Sequence, residues 1–256
     1  MPVSSVLEAA LRGGQDLKVI AYVMAGHPSR QESIELGRAL VRAGAAAIEV
    51  GVPFSDPLAD GPVIQRAGQQ ALAGGTTLID AIAVAEEIAL EGAPVVIMTY
   101  VNPVLTLGPR VFVDRLVAAG VAGVIVPDLP LEEADLLAPA LADAGVDLVQ
   151  LVAPTSPAER VARIVAATRG FVYCVTLTGV TGGRSQLAEG LDELLDRVRA
   201  QSPRPVAAGF GISRPEHVRH LRGRVDAVVV ASAVIDLVGR GDPPGLIRDM
   251  VAAGRS

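Results

Sequence analysis

Three acidic residues lie close together between residues 48 and 61, in a setting that could support proton transfer. Glu49 lies inside an apolar run, residues 45–52, that is typical of a strand buried on both faces. A carboxylate in such a strand is unfavourable unless it is hydrogen-bonded or has a chemical role. Asp56 and Asp60 follow in a loop that is stiffened by prolines. The stretch alone is equally compatible with an acid–base site and with a structural glutamate that backbone N–H groups bind.

Composition and charge exclude several classes of protein. The 256 residues are 50% hydrophobic, which is enough for a large core, and we expect a single domain over residues 1–256. The apolar runs are shorter than the roughly 20 residues of a membrane-spanning helix, and the N-terminus lacks the basic and apolar regions of a signal peptide. A cytoplasmic protein is therefore expected. The net charge of −6 argues against nucleic acid as a partner, and the single cysteine, Cys174, predicts a buried thiol rather than a disulfide.

Short apolar runs alternate with longer amphipathic segments along the chain, which is a βα pattern. Eight strands are predicted, at residues 19–24, 46–50, 94–99, 122–126, 147–152, 170–175, 205–208 and 227–230. Eight helices are predicted between and after them, at residues 29–43, 77–91, 109–119, 132–144, 156–167, 191–199, 214–221 and 244–253. Glycines stand where the C-caps of four of these helices need a left-handed residue: Gly44, Gly92, Gly120 and Gly145.

The length of the repeating unit indicates how these elements assemble. Eight βα units in 256 residues average about 32 residues, the size of a unit that returns right-handed to a parallel neighbour. We therefore predict an α/β fold, a (β/α)₈ TIM barrel with an N-terminal helix and an extra helix, residues 63–73, after the second strand. A doubly wound open sheet is the rival, but the first strand is not followed by the glycine-rich turn of a dinucleotide site.

In such a barrel the reactive groups lie at the C-terminal ends of the strands and in the loops that follow. Glu49 lies near the end of the second strand, and the long loop after it reaches to about residue 76. Scarce aromatic residues occupy similar positions, because Tyr100 and Phe210 follow strand ends while Tyr22 and Tyr173 lie within strands. They could line a pocket for a flat apolar ligand or simply fill the barrel.

Glycine-rich loops in the last third of the chain predict an anion site. They follow the sixth, seventh and eighth strands, at residues 178–185, 209–213 and 231–233. Glycines allow backbone N–H groups to approach an anion closely, and a helix N-terminus adds partial positive charge. A phosphorylated substrate is therefore expected at this end of the barrel.

Several motifs together resemble one known family. They are Pro-Phe-Ser-Asp-Pro-Leu-Ala-Asp-Gly-Pro at 53–62 after Glu49, Met-Thr-Tyr-Val-Asn-Pro at 98–103, Val-Pro-Asp-Leu-Pro at 126–130, Thr-Gly-Val-Thr-Gly at 178–182 and Gly-Phe-Gly-Ile-Ser at 209–213. This set resembles the tryptophan synthase alpha subunits, nearly end to end, and the first motif is highly specific. The resemblance implies a carbon–carbon lyase of tryptophan biosynthesis, which cleaves indole-3-glycerol phosphate to indole and glyceraldehyde 3-phosphate. It also implies an alpha2-beta2 assembly with a beta subunit that carries pyridoxal phosphate, whereas this chain needs no cofactor.

The resemblance also implies roles for individual residues. Glu49 is the expected general acid, since burial raises a carboxyl pKa and keeps part of it protonated near neutrality. Asp60 is expected to accept a hydrogen bond from the indole N–H and to stabilise positive charge in the transition state. Asp56 and Pro57 are expected to face the beta subunit. The expected substrate contacts are Tyr22, Tyr100, Tyr173, Thr181 and Phe210. The expected phosphate cradle is Gly182, Gly183, Gly211, Ala231 and Ser232.

Some residues depart from this pattern or lie outside it. Ala231 stands where the family has glycine, and it would be strained if the position required a positive φ but not if the position is helical. Asp128 is expected to tie loops together rather than to react. His217 and His220 lie at i, i+3 on a predicted helix, but no further ligand completes a site, so no metal is expected.

Two other functions share these residues. A stand-alone lyase that releases free indole would use the same acids, and only the dependence of its rate on a partner would distinguish it. A catalytically weak subunit that merely activates a beta subunit is disfavoured, because both Glu49 and Asp60 are present.

Overall fold

The computed structural model describes residues 5–12, 14–175, 191–209 and 211–255. Within them, eight strands pair in sequence order and close into a parallel barrel. The strands are β1 Lys18–Met24, β2 Ala47–Gly51, β3 Val95–Met98, β4 Gly123–Ile125, β5 Asp147–Val152, β6 Val172–Val175, β7 Val206–Gly209 and β8 Ala227–Val230. Closure is completed by β1 and β8, whose register pairs Val19 with Val228 and Ala21 with Val230. The predicted (β/α)₈ fold is confirmed.

Helices connect the strands along the described part of the chain. They are α1 Val6–Leu11, α2 Arg30–Arg42, α3 Pro62–Ala73, α4 Leu78–Ala89, α5 Val101–Leu107, α6 Pro109–Ala118, α7 Ala138–Asp143, α8 Ala158–Ala167, α9 Leu191–Gln201, α10 Pro215–Leu221, α11 Ser232–Leu237 and α12 Pro243–Gly254. The expected N-terminal helix is α1 and the expected extra helix after the second strand is α3. None of the helices in these ranges has the length and apolar character that a membrane span requires.

Local sequence explains several helix boundaries. Ser29 caps α2 by accepting a hydrogen bond from the Glu32 N–H, and Thr77 forms a capping box with Asp80 at the start of α4. The four glycines predicted at helix C-termini all have positive φ: 101° at Gly44, 92° at Gly92, 65° at Gly120 and 73° at Gly145. Gly44, Gly120 and Gly145 directly follow the C-cap residue, as predicted, whereas Gly92 lies two residues beyond the C-cap of α4, Leu90.

One predicted helix differs in the structure, and one helix was not predicted. The single helix expected at 132–144 is a 3₁₀ helix, Leu131–Leu136, followed by α7, with Leu137 outside the helical region at φ −126°. Pro139 explains the break, because proline has no N–H to donate and its ring clashes with a preceding helical turn, so it stands in the first turn of the new helix. The helix α5 was not predicted at all.

The core has two layers, separated by the strands. One apolar cluster lies between the outer faces of the strands and the helices, and includes Cys174, whose burial raises the pKa of the thiol to about 12. The predicted buried thiol is thereby confirmed. The other cluster fills the barrel interior, where Leu7 and Leu11 of α1 belong to it. The barrel interior is thus a packed core, and in barrels of this kind the site lies at the C-terminal end of the strands.

Candidate active site

Glu49 lies in the middle of β2, on the inward face of the barrel. In the register its neighbours are Tyr22 on β1 and Val96 on β3, and its side chain is 1% exposed. The Oε2 atom is buried without a hydrogen-bond partner among the described residues. Burial, with a smaller contribution from the charge of Asp60, raises the pKa of Glu49 to about 8. The carboxyl group is therefore mostly protonated at neutral pH and can donate a proton.

Asp60 lies in the loop before α3, close enough to Glu49 for its charge to act on that carboxyl group. Its side chain is 9% exposed. Its backbone is held on both sides, since its N–H donates to the Pro57 carbonyl at 3.1 Å and its carbonyl accepts from Gln65 Nε2 at 2.9 Å. Burial raises the pKa of Asp60 to about 6, and a hydrogen bond from the Tyr100 hydroxyl partly opposes that rise. Asp60 is therefore mostly ionised at neutral pH.

The two carboxyl groups thus differ in protonation state, and their environments explain why. Glu49 is the more deeply buried of the two and has an unpartnered oxygen, whereas Asp60 has a hydroxyl donor that favours its charged form. The negative charge of Asp60 further disfavours ionisation of Glu49. At neutral pH the site therefore contains both a proton donor and a negatively charged group. Acid catalysis through a positively charged transition state uses both.

Tyr22 and Tyr173 place phenol groups beside these acids, over glycines of neighbouring strands. A Cβ at Gly51 of β2 would lie 1.8 Å from Tyr22 Oη, and a Cβ at Gly209 of β7 would lie 2.3 Å from Tyr173 Oη. Burial, together with the charges of Glu49 and Asp60, raises the pKa of both phenols well above the usual value, so both are neutral. The sequence reasoning assigned the tyrosines but missed these glycines. A glycine in an otherwise bulky strand is the signal that indicates such a close approach.

Tyr100 follows β3 after one intervening residue and contacts the loop that carries Asp60. Its hydroxyl accepts a hydrogen bond from the Ala59 N–H at 3.1 Å, and its ring stacks on Phe54 with centroids 5.0 Å apart and an interplanar angle of 26°. The structure thus brings Tyr100 to the Asp60 loop, as well as Tyr22 and Tyr173 to the vicinity of both acids. The prediction that Asp128 ties loops together is confirmed, because its Oδ1 accepts from the Val101 N–H at 2.9 Å.

The expected phosphate cradle is described only in part. Gly211 has a φ of +83°, a left-handed value that favours glycine. Ala231 precedes α11 at φ −109° and ψ −78°, so it does not need a positive φ and its methyl group carries no backbone strain of that kind. Ser232 begins α11 at the C-terminal end of β8. Thr181, Gly182, Gly183 and Phe210, also expected at the site, lie outside the described residues.

The loop between Phe54 and Asp60 also presents an outer surface. Asp56 is exposed and Pro57 is partly exposed, and between them and Asp60 the side chain of Leu58 is 84% exposed. Leu105 on the neighbouring α5 is 50% exposed. The sequence reasoning named Asp56 and Pro57 but missed both leucines, since sequence alone does not say which apolar residues remain outside a core.

The histidines form no metal site in the residues that the structure covers. His217 Nδ1 accepts a hydrogen bond from the Ser213 N–H at 3.3 Å, and His220 lies 3.8 Å from Asp192. Among those residues no group of three or more histidine, cysteine, aspartate or glutamate side chains could hold a metal ion.

Comparisons with known proteins identify one family for this chain. The family model of the tryptophan synthase alpha chain matches residues 9–248. A tryptophan synthase alpha chain of Synechocystis sp. is 45% identical over 236 residues, which cover 91% of this chain and 89% of the relative. The structure of Mycobacterium tuberculosis tryptophan synthase has a chain with a TM-score of 0.93 and 38% identity, covering 99% of this chain and 100% of that one. A chain from the Pyrococcus furiosus tryptophan synthase α2β2 complex has a TM-score of 0.86 and 36% identity, covering 93% and 99%.

Proposed function

Because the chain belongs to the tryptophan synthase alpha chain family, we propose that it cleaves indole-3-glycerol phosphate to indole and glyceraldehyde 3-phosphate. The reaction is a retro-aldol cleavage, and the enzyme is a carbon–carbon lyase. The feature that supports the proposal most is the proximity of two buried carboxyl groups whose pKa values differ, about 8 for Glu49 and about 6 for Asp60, with the charge of Asp60 contributing to the rise at Glu49.

Glu49 supplies and recovers the proton in the proposed mechanism. Its carboxylic acid protonates the indole ring at C3, which turns the ring into an iminium-like electron acceptor. The resulting carboxylate then takes the proton of the glycerol hydroxyl beside the bond that breaks. The electron pair of that carbon–carbon bond returns to the ring and restores aromatic indole, while the hydroxyl carbon becomes the aldehyde. Glu49 ends protonated, so the cycle balances and the unpartnered Oε2 gains a partner in the complex.

Asp60 is proposed to stabilise the charge that this cycle creates. Protonation at C3 places positive charge on the indole nitrogen, and an ionised carboxylate that accepts the indole N–H lowers the energy of that state. The neutral phenols of Tyr22 and Tyr173 orient the ring and the glycerol portion. Gly211, Ala231 and Ser232 hold the phosphate, together with Gly182 and Gly183 outside the described residues.

We further propose that the chain works in an alpha2-beta2 assembly with a beta subunit. The α2β2 architecture named for the Pyrococcus furiosus relative supports this partnership. The exposed Leu58 beside Asp56 and Pro57, with Leu105 on α5, supports the expected docking face at the C-terminal end of the barrel. The steps above use only side chains of this chain, and pyridoxal phosphate is assigned to the beta subunit. Cytoplasmic location remains our proposal.

The test is the steady-state release of indole from indole-3-glycerol phosphate by the purified chain, with and without a beta subunit. Release that rises with the beta subunit and is lost in Glu49→Gln is the expected result. Asp147→Asn is the matched control, because Asp147 is also a buried carboxyl group but lies at the N-terminal end of β5, away from the site. It is expected to retain the rate per folded enzyme.

Other outcomes would decide between the remaining functions. Fast release without a beta subunit would favour a stand-alone indole-releasing lyase. No release under either condition, with full activation of the beta subunit, would favour a catalytically weak activating subunit. Retention of the rate in Glu49→Gln would refute the assigned role of Glu49.

A further inference from the structure

We infer that Tyr100 is a positioning residue for Asp60, which it holds through both its hydroxyl group and its ring. The inference rests on the proposed function for the importance of Asp60 to the reaction, but the contacts themselves are independent of it. Tyr100 does not need to touch the reacting atoms in order to act in this way.

The hydroxyl group of Tyr100 contacts two consecutive residues of the loop. It accepts the Ala59 N–H at 3.1 Å, and its own proton favours the charged form of the Asp60 carboxylate, which lowers the pKa of that group. A phenol can donate one hydrogen bond while accepting another, so both contacts are compatible. The side chain is 3% exposed, which limits competition from water.

The ring of Tyr100 contacts the start of the same loop. Phe54 stacks on it at 5.0 Å, five positions before Ala59. One side chain therefore contacts the loop at two points, Phe54 and Ala59, and the segment between them includes the exposed Leu58. A loop fixed at two points has fewer conformations, so Asp60 remains near Glu49 at a lower entropic penalty.

The backbone next to Tyr100 is anchored from the other side. Tyr100 precedes α5 as its N-cap residue, and the following N–H, that of Val101, donates to Asp128 Oδ1 at 2.9 Å. Asp128 belongs to the loop after β4. A continuous set of contacts thus runs from the β4 loop through Tyr100 to the loop after β2, where the carboxylate lies.

Loss of the Tyr100 hydroxyl should change the titration of the Asp60 carboxyl group, because several other groups act on the same carboxyl. Glu49 on β2, Tyr22 on β1 and Tyr173 on β6 all interact with it electrostatically, while the Tyr100 hydrogen bond favours its charged form. Removal of that donor should make Asp60 harder to ionise. A purely structural role for the tyrosine would not change this titration.

The experiment is the substitution Tyr100→Phe, which keeps the ring and its stacking and removes only the hydroxyl. The Asp60 carboxyl is titrated by ¹³C NMR, with its signal assigned by Asp60→Asn. We expect the midpoint to rise by about one pH unit, the shift that loss of a hydrogen bond to a charged group produces. The acidic limb of kcat/KM should move by the same amount, and the Ala59 amide should exchange roughly 2- to 10-fold faster.

Tyr22→Phe is the matched control, because it removes another buried hydroxyl beside the same acids without a bond to Ala59. In this variant the midpoint of the Asp60 titration should not rise. Asp128→Ala removes the exposed acceptor of the Val101 N–H, so it should raise both the titration midpoint of Asp60 and the exchange rate of the Ala59 amide. Asp128→Asn keeps an oxygen acceptor at this position, so both values should stay at those of the wild type.

Two results would overturn the inference: an unchanged Asp60 midpoint in Tyr100→Phe, or an equal rise in Tyr22→Phe. The NMR titration does not require catalytic activity, so it tests the positioning role of Tyr100 independently of the proposed function. Absence of indole release by the wild-type chain would refute that function while leaving the titration interpretable.

Discussion

Replacement of Glu49 by glutamine should stabilise the folded protein, even though it abolishes the proposed reaction. Glutamine has nearly the same shape as glutamate but never carries a charge. In the wild type, Glu49 is fully buried and its pKa is raised from 4.5 to about 8, so the folded state resists its ionisation. The stabilising contribution of the protonated form is complete below the unfolded pKa and is lost as the pH rises through the folded pKa.

The size of the effect follows from the two pKa values. A difference of 3.5 between 4.5 and about 8 corresponds to a limit of about 5 kcal/mol at high pH, at about 1.4 kcal/mol per pH unit. Resistance to ionisation of Glu49 lowers the unfolding free energy of the wild type by about 1 kcal/mol at pH 5 and by about 4 kcal/mol at pH 8. The advantage of Glu49→Gln should therefore grow by about 3 kcal/mol between these two pH values.

The assay is urea denaturation of both proteins at pH 5, 6, 7 and 8, with the difference in unfolding free energy taken at each pH. Ionisable groups common to both proteins largely cancel in this difference. In an Asp60→Asn background the increase should be smaller, because the charge of Asp60 is the second cause of the raised pKa. A difference that stays constant from pH 5 to pH 8, or a glutamine variant that is less stable at pH 8, would refute the reasoning.

Three further predictions concern the same end of the barrel. The kcat/KM for indole release should be bell-shaped in pH, falling below about 6 as Asp60 is protonated and above about 8 as Glu49 ionises; a flat alkaline limb would exclude Glu49 as the acid. Gly51→Ala should lower the unfolding free energy by roughly 1–3 kcal/mol, because its Cβ would lie 1.8 Å from Tyr22 Oη. Urea denaturation measures this loss, and Tyr22→Phe in the same background should recover part of it. Leu58→Ser should weaken binding to a beta subunit by about 10- to 100-fold in calorimetric titration, with unchanged stability of the free chain, since Leu58 is 84% exposed.

The fold could be predicted because its signals are local. Apolar runs of strand length, capping residues such as Ser29 and Thr77, and glycines such as Gly44 act within a few residues of the chain, and all agreed with the observed elements. The failures occurred where local signals conflict or are short. Pro139 interrupts an otherwise helical pattern, and α5 has only seven residues, too few for a clear periodicity.

The sequence named the candidate acids and tyrosines and their expected roles, but not the contacts that set their pKa values. An acid in the apolar run around Glu49 and the motif that contains Asp60 identified the two carboxyl groups, and strand position placed Tyr22 and Tyr173 near them. The torsion of Ala231 could not be read from its residue type, since alanine is compatible with either alternative until the backbone is known.

The sequence by itself determined the barrel, the family and the identity of the acids, because periodicity, turn residues and motifs are properties of neighbouring residues. Only the tertiary structure decided how far burial raises each pKa, to about 8 for Glu49 and to about 6 for Asp60, so that the two carboxyl groups differ in charge at neutral pH. Desolvation and Coulomb interactions depend on distances between groups that β1, β2, β3 and β6 bring together from far apart in the chain. The same is true of the Tyr100 hydroxyl, whose donor, the Ala59 N–H, lies 41 positions earlier in the sequence but 3.1 Å away in space.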